Sequence, residues 1–247
     1  MVQSAAPSLA REARAWSEFV QLMADPVYFG AGLPRGDGRL VLVLPGLFGN
    51  DWYLRPLRVW LNRIGYRSVP STLVVNAGCP ERLTREVEAH LLRRMQPAPG
   101  PVVLIGHSRG GILARAIASR LGAQVSHLVL LGSPVGAISR ISGFGAAGGG
   151  WQSPAHSGVT SAGNRARRLL DPECEAPFCN CPFPRDLVSP LSPNTSVVSI
   201  YSREDPIVPP WSCEMPGAVN IQVAGSHIGL AANRDVYREL AAALRQG

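Results

Sequence analysis

The apolar positions follow two alternating rhythms. Leu40–Leu44 (LVLVL) is an unbroken apolar run, the pattern of a strand buried on both faces of a parallel sheet. It ends in the turn Pro45-Gly46-Leu47-Phe48-Gly49. Leu54, Leu57, Leu61 and Ile64 then recur at steps of three and four, which predicts an amphipathic helix closed by Gly65. Tyr66–Val75 holds the next predicted strand, interrupted by Pro70. Pro80 opens a second helix with Leu83, Val87, Leu91 and Met95 on one stripe, broken by the prolines of 97–101. Val102–Ile105 is apolar again, and Gly111–Leu121 is compatible with a helix. Val125–Leu131, Ser196–Tyr201 and Ala218–Val223 read as strands. A last helix spans Arg234 to Leu244, with Val236, Leu240 and Leu244 inward.

Strands alternating with helices predict an α/β fold: a mostly parallel central sheet with helices on both faces and right-handed crossovers. Two stretches depart from this. Residues 1–39 hold an amphipathic helix with Trp16, Phe19, Val20 and Met23 on one side, then a loop rich in Gly and Pro. Residues 136–195 contain Gly148-Gly149-Gly150, many Pro and Ser, and no period beyond a short helix candidate at Ala162–Leu170. So long an insertion is expected to form a cap over the strand ends, anchored by Trp151, Phe178 and Phe183. The chain has 247 residues, enough for one domain and crowded for two, so 1–247 is expected to be a single domain.

Composition narrows the classes. Apolar residues make up 46% and charged residues 17%, which fits a globular protein. The net charge is +7 and all 24 basic residues are arginine. They are scattered, without the basic stripe and interleaved aromatics of a nucleic-acid site, so no nucleic acid is expected. Transient contact with a membrane or lipid interface is compatible with the charge. No apolar run reaches the ~18 residues of a membrane span, and no secretory run opens the chain. A cytoplasmic protein is the expectation, unless the chain is a mature form; the oligomeric state is left open. The cysteines Cys79, Cys174, Cys179, Cys181 and Cys213 lack paired C-x2-C spacing and a close histidine, so no metal is expected. One disulfide tying down a loop, or buried thiols, are the readings left.

The chemistry converges on Gly106-His107-Ser108-Arg109-Gly110. G-x-S-x-G is weak alone, but between a strand and a helix it has the context of a nucleophile elbow, with Ser108 at a strained, positive φ. Gly106 and Gly110 let strand and helix approach. In a parallel sheet, sites form beyond the carboxyl ends of the strands. A serine there needs a base and the base needs an orienting acid. Of the five histidines, only His227 follows a strand's carboxyl end, in a Gly-flanked loop. His107 is expected to pack beneath the turn. Asp205 follows the strand Ser196–Tyr201 and is preferred as the acid, with Glu204 its best rival and Asp171, Asp186 and Glu214 less well placed. The backbone N–H groups of Leu47 and Arg109 are the expected oxyanion donors. Phe48, Trp52, Ile207, Val208 and Ile228 flank the predicted site as candidate walls of an apolar acyl pocket.

The order Ser108, Asp205, His227, with the Gly106–Gly110 motif and the loop Pro45-Gly46-Leu47, resembles the α/β-hydrolase superfamily, and within it small bacterial lipase- or esterase-like members. The resemblance covers Leu40–Leu244 apart from the insertion. It departs at the oxyanion loop, where many relatives have His-Gly and this chain has Pro45-Gly46. It implies a cofactor-free serine hydrolase acting on a small-molecule carboxylic ester, of lipid or acyl type, through an acyl-enzyme on Ser108. An acyltransferase or thioesterase would use the same groups. A non-catalytic binding protein on the same fold is the alternative from another class.

Overall fold

The structure, a computed structural model, describes residues 12–96, 100–142, 169, 172 and 181–245. Six strands form one sheet: β1 (Leu40–Leu44), β2 (Arg67–Pro70), β3 (Val102–His107), β4 (Val125–Leu131), β5 (Ser196–Ser202) and β6 (Val219–Val223). Their order is β2-β1-β3-β4-β5-β6 and every pairing is parallel. The α/β class and the parallel sheet with helices on both faces are therefore as expected.

Alternation along the strands divides the core. Leu40, Leu42 and Leu44 of β1 face one side, where they join Leu83, Val87 and Leu91 of α3 (Pro80–Met95) and Leu113 and Ile117 of α4 (Arg109–Leu121). Val41 and Val43 face the other side. There they meet Leu57, Trp60 and Leu61 of α2 (Arg55–Arg63) and Val236, Tyr237 and Leu240 of α8 (Arg234–Arg245). All five β1 residues are buried, the signature of a strand covered on both faces. Gly65, at φ +103, donates its N–H to Asn62 O and closes α2 as predicted.

Three expectations are corrected. The strand sought over Tyr66–Val75 pairs only over Arg67–Pro70, because Pro70 has no N–H to continue a ladder and the chain turns through Thr72 at φ +67. The helix α1 (Arg14–Ala24) forms, but the side carrying Trp16 and Val20 is exposed. The buried positions are Glu18 and Leu22, so the core-facing side carries a carboxylate. Within 136–195, helices α5 (Val135–Ser142) and α6 (Phe183–Val188) stand where no period was read. Phe183 and Leu187 of α6 pack into the α3–α4 side of the core. Arg120 on α4 bonds Asp186 at 2.6 Å and Glu81 of α3 at 2.5 Å, fixing where the chain re-enters the fold. The rest of the expected cap, the helix candidate at 162–170 apart from Leu169, Trp151, Phe178, Cys174 and Cys179 lie outside the described residues. The short helix α7 (Pro210–Cys213) buries Cys213, a free thiol whose pKa burial pushes up to about 12. No helix among the described residues is long and apolar enough to cross a membrane.

Candidate active site

Ser108 follows β3 directly and has φ +53 and ψ −124. An L-residue pays for that conformation, and the packing around it explains why it persists. A Cβ on Gly106 would sit 2.4 Å from Gly111 Cα, and one on Gly110 would sit 2.4 Å from Leu44 O. One on Gly111 would sit 2.1 Å from Ser133 Oγ. Strand and helix thus meet at distances no side chain tolerates, and Ser108 is forced outward between them, half-buried. Its N–H donates to Leu131 O at 2.8 Å, tying it to the end of β4. The amides at the start of α4 follow at once, an electropositive helix end suited to an anion.

The loop after β1 lies against the serine. A Cβ on Gly46 would meet Ser108 Cβ at 3.2 Å, a tight contact that would push the two segments apart by a few tenths of an ångström. Asn76 holds the loop from beneath: its Nδ2 donates to Pro45 O at 2.7 Å, and its carbonyl accepts from Phe48 N at 3.1 Å. The Arg109 guanidinium donates to Asn76 O at 2.8 Å and to Gly78 O at 2.7 Å, so the same residue belongs to the elbow and clamps the neighbouring loop. Phe48, at φ +59, is strained like Ser108.

His227 and Asp205 are joined. His227 Nδ1 lies 2.7 Å from Asp205 Oδ2, and both side chains are almost wholly buried, at 5% and 1% exposure. The other carboxylate oxygen, Oδ1, accepts from Ile207 N and Val208 N, each at 2.8 Å, so Asp205 cannot rotate away. Proton-bearing Nδ1 facing a carboxylate leaves Nε2 as the basic nitrogen. A Cβ on Gly132 would lie 3.4 Å from both Asp205 Oδ2 and His227 Nδ1, so the end of β4 passes directly beneath the pair. Ser108 Oγ and His227 share no hydrogen bond in the described structure; such bonds commonly tighten only when substrate is present.

His107 packs beneath the turn, as expected, and there it links the two loops. Gly46 N donates to the Tyr53 hydroxyl, which donates to His107 Nδ1 at 3.0 Å. His107 Nε2 then donates to His227 O at 2.9 Å, and the two imidazole rings lie 4.9 Å apart. This pattern fixes the neutral Nε2–H tautomer. Burial first, and the neighbouring His227 second, lower the His107 pKa to about 3. Burial likewise raises that of the Tyr53 hydroxyl.

The rival acids are engaged elsewhere. Glu204 is half-exposed and pairs with Arg14 at 2.6 Å. Glu214 accepts from the Tyr201 hydroxyl at 3.0 Å, Asp186 is held by Arg120, and Asp171 lies outside the described residues. Of the other histidines, His127 is buried with Nδ1 3.2 Å from Arg39, His90 is buried on α3, and His156 lies outside the described residues. Phe48 and Ile228 are about half-exposed, and Trp52 is exposed, stacked under Arg55. Val208 is buried with Tyr201 and Cys213, and Ile207 packs on that cluster, so these two belong to a small core beside Asp205.

Sequence reasoning missed Tyr53, Asn76, Glu12 and Glu18. Asn76 could have been found by extending the strand-end rule to the segment after β2. The two glutamates carried no signal, since polar residues on a terminal helix read as a solvated face. Glu12 accepts from His227 N and Ile228 N, and Glu18 from Ser226 N and Oγ.

Comparison with known proteins agrees with the architecture. A metagenomic carboxyl esterase superposes with a TM-score of 0.54 at 14% identity, over 94% of this chain and 90% of that one. A structure of the metagenome-derived lipolytic enzymes LipS and LipT gives 0.53 at 16% identity, over 87% and 96%. A mature Bacillus licheniformis lipase gives 0.52 at 14% identity, over 85% and 94%. At such identities the likeness is one of fold. No curated protein matches the chain significantly. The profile of the alpha/beta hydrolase family, however, matches residues 40–243, every strand of the sheet included, and the chain belongs to that family.

Proposed function

We propose that the protein is a serine hydrolase of carboxylic esters, with Ser108 as nucleophile, His227 as base and Asp205 as the acid that orients it. The observation that carries the reading is the buried Asp205–His227 pair, bonded at 2.7 Å at the strand ends where Ser108 stands strained and outward. In the proposed reaction Ser108 Oγ attacks the acyl carbon while His227 Nε2 takes its proton. The oxyanion that forms is met by the N–H groups of Leu47 and Arg109. His227 returns the proton to the departing alcohol, leaving an acyl-enzyme. Water, deprotonated by His227, attacks the ester carbon, the acid departs and Ser108 recovers its proton. Asp205 holds the Nδ1–H tautomer and stabilises the imidazolium, and no cofactor takes part.

The half-exposed Phe48 and Ile228, one on each loop beside the site, favour an acyl group of lipid character over a polar one. The test is a series of p-nitrophenyl esters of increasing chain length, given to the wild type and to Ser108→Ala. The wild type is expected to turn over, with a preference for apolar chains, and Ser108→Ala to fall by about 10⁵–10⁶-fold. Equal turnover by the two proteins would remove Ser108 from the reaction.

A further inference from the structure

The turn 224–228, between β6 and the one-turn helix Gly229–Ala232, carries the proposed base. It presents the N–H groups of Ser226, His227 and Ile228 in succession, and such groups need acceptors when buried. The acceptors come from the far end of the chain, 208 to 216 positions away. Glu12, just ahead of α1, accepts from His227 N at 3.0 Å and from Ile228 N at 2.8 Å, one carboxylate oxygen to each. Glu18, within α1, accepts from Ser226 N and from Ser226 Oγ, both at 2.9 Å. Both glutamates are buried.

The turn is shaped to receive them. A Cβ on Gly229 would sit 1.4 Å from Glu18 Oε2. Gly225, at φ +150, would place one 3.4 Å from Glu18 Oε1. Gly229 therefore makes room for the Glu18 carboxylate, while at Gly225 the tight neighbour of a Cβ would be Asn233 Nδ2, at 2.8 Å. His227 is fixed at three points: its ring by Asp205, its carbonyl by His107 Nε2, and its N–H by Glu12. The first two anchors lie inside the family-matched span 40–243, and the third lies outside it.

We propose that Glu12 and Glu18 are positioning residues for His227, so that α1 is part of the catalytic apparatus of this chain. The inference rests on the hydrolase reading above. Each glutamate acts through the backbone of the turn and touches no substrate. Glutamine at position 12 keeps the shape but turns an NH2 group toward a backbone N–H, so one donor of the turn loses its acceptor. At position 18 one partner is the Ser226 hydroxyl, which accepts from an amide NH2, so alanine is the substitution that leaves Ser226 N without its acceptor.

The test compares wild type, Glu12→Gln, Glu18→Ala and Ser17→Ala on the best ester of the series. Ser17, exposed and bonded only to its own helix, is the control for a change on α1. Folding is checked by melting temperature. Misplacing a catalytic group by a fraction of an ångström is expected to lower kcat by roughly 10- to 100-fold in each glutamate variant, with KM nearly unchanged. Ser17→Ala should match wild type. Folded Glu12→Gln and Glu18→Ala variants that keep wild-type kcat would overturn the proposal and reduce the glutamates to stabilising contacts. Amide exchange on the wild type needs no variant: the amides of 226–228 should exchange only as slowly as those of α1, and rapid exchange there while α1 stays protected would also overturn it. A wild type that turns over no ester would defeat the hydrolase reading itself, and the inference with it.

Discussion

Ser108 and His227 are held in place by opposite means. Around Ser108 the anchoring comes from side chains that are missing: Gly106 and Gly110 let backbone meet backbone, and Gly46 and Gly111 let the chain close on neighbouring side chains. All but Gly46 lie within three residues of the serine. Around His227 the anchoring comes from polar groups that are added, Asp205, His107, Glu12 and Glu18, drawn from three other parts of the chain. A steric anchor costs no desolvation and fails only when an atom is inserted. A hydrogen-bonded anchor has to offset the burial of its own polar groups and fails when one acceptor is lost. The frame of the proposed nucleophile is therefore local, while that of the proposed base includes long-range contacts from Glu12 and α1.

The sharpest way to break the steric side is Gly46→Val. A Cβ there already meets His107 Nδ1 at 3.1 Å, Ser108 Cβ at 3.2 Å and the Tyr53 hydroxyl at 3.3 Å, and two further methyls must displace the loop. Activity is expected to drop by about 10²–10³-fold, the cost of a lost oxyanion donor. Steady-state kinetics on folded protein checks this. Next comes Leu22→Ala, which removes the wholly buried apolar contact of α1 and should cost about 2–5 kcal/mol by urea unfolding.

The linking histidine gives a third effect, in pH. His107 titrates near 3 in the folded chain, below its ordinary 6.5. As pH falls below 6.5 the unfolded chain takes up this proton and the folded chain does not, so stability is complete above 6.5 and declines toward 3. Between pH 6.5 and about pH 5 the decline from this group is about 2 kcal/mol. His107→Gln should remove that slope, leaving a smaller one of the same sign from His90, whose pKa burial also lowers. Melting temperatures across this range would show it. The smallest effect is expected at Trp16→Ala, on the exposed side of α1, within about 0.5 kcal/mol.

These contrasts also explain what was legible beforehand. The inner strands showed themselves as apolar runs, and α2, α3 and α8 because their apolar buried positions recur at helical steps. Ser108, His227 and Asp205 could be picked out because a parallel sheet gathers its strand ends at one edge. The inward side of α1 could not be read this way. Two of its apolar positions, Trp16 and Val20, face outward, and its buried Glu18 answers to a turn that hydrophobic periodicity knows nothing of. Helices α5 and α6 escaped for a related reason: eight and six residues give too few turns to establish a period. Tyr53 and Asn76 are ordinary polar residues whose roles exist only once two loops are brought together.

The central claim, that Ser108 is the nucleophile and His227 its base, is tested most directly by exposing the folded protein to a fluorophosphonate and mapping the adduct by mass spectrometry. The account predicts a single covalent adduct on Ser108, absent from Ser108→Ala and formed far more slowly in His227→Ala. Folded wild-type protein that takes no label at Ser108, or takes it at the same rate without His227, would contradict it.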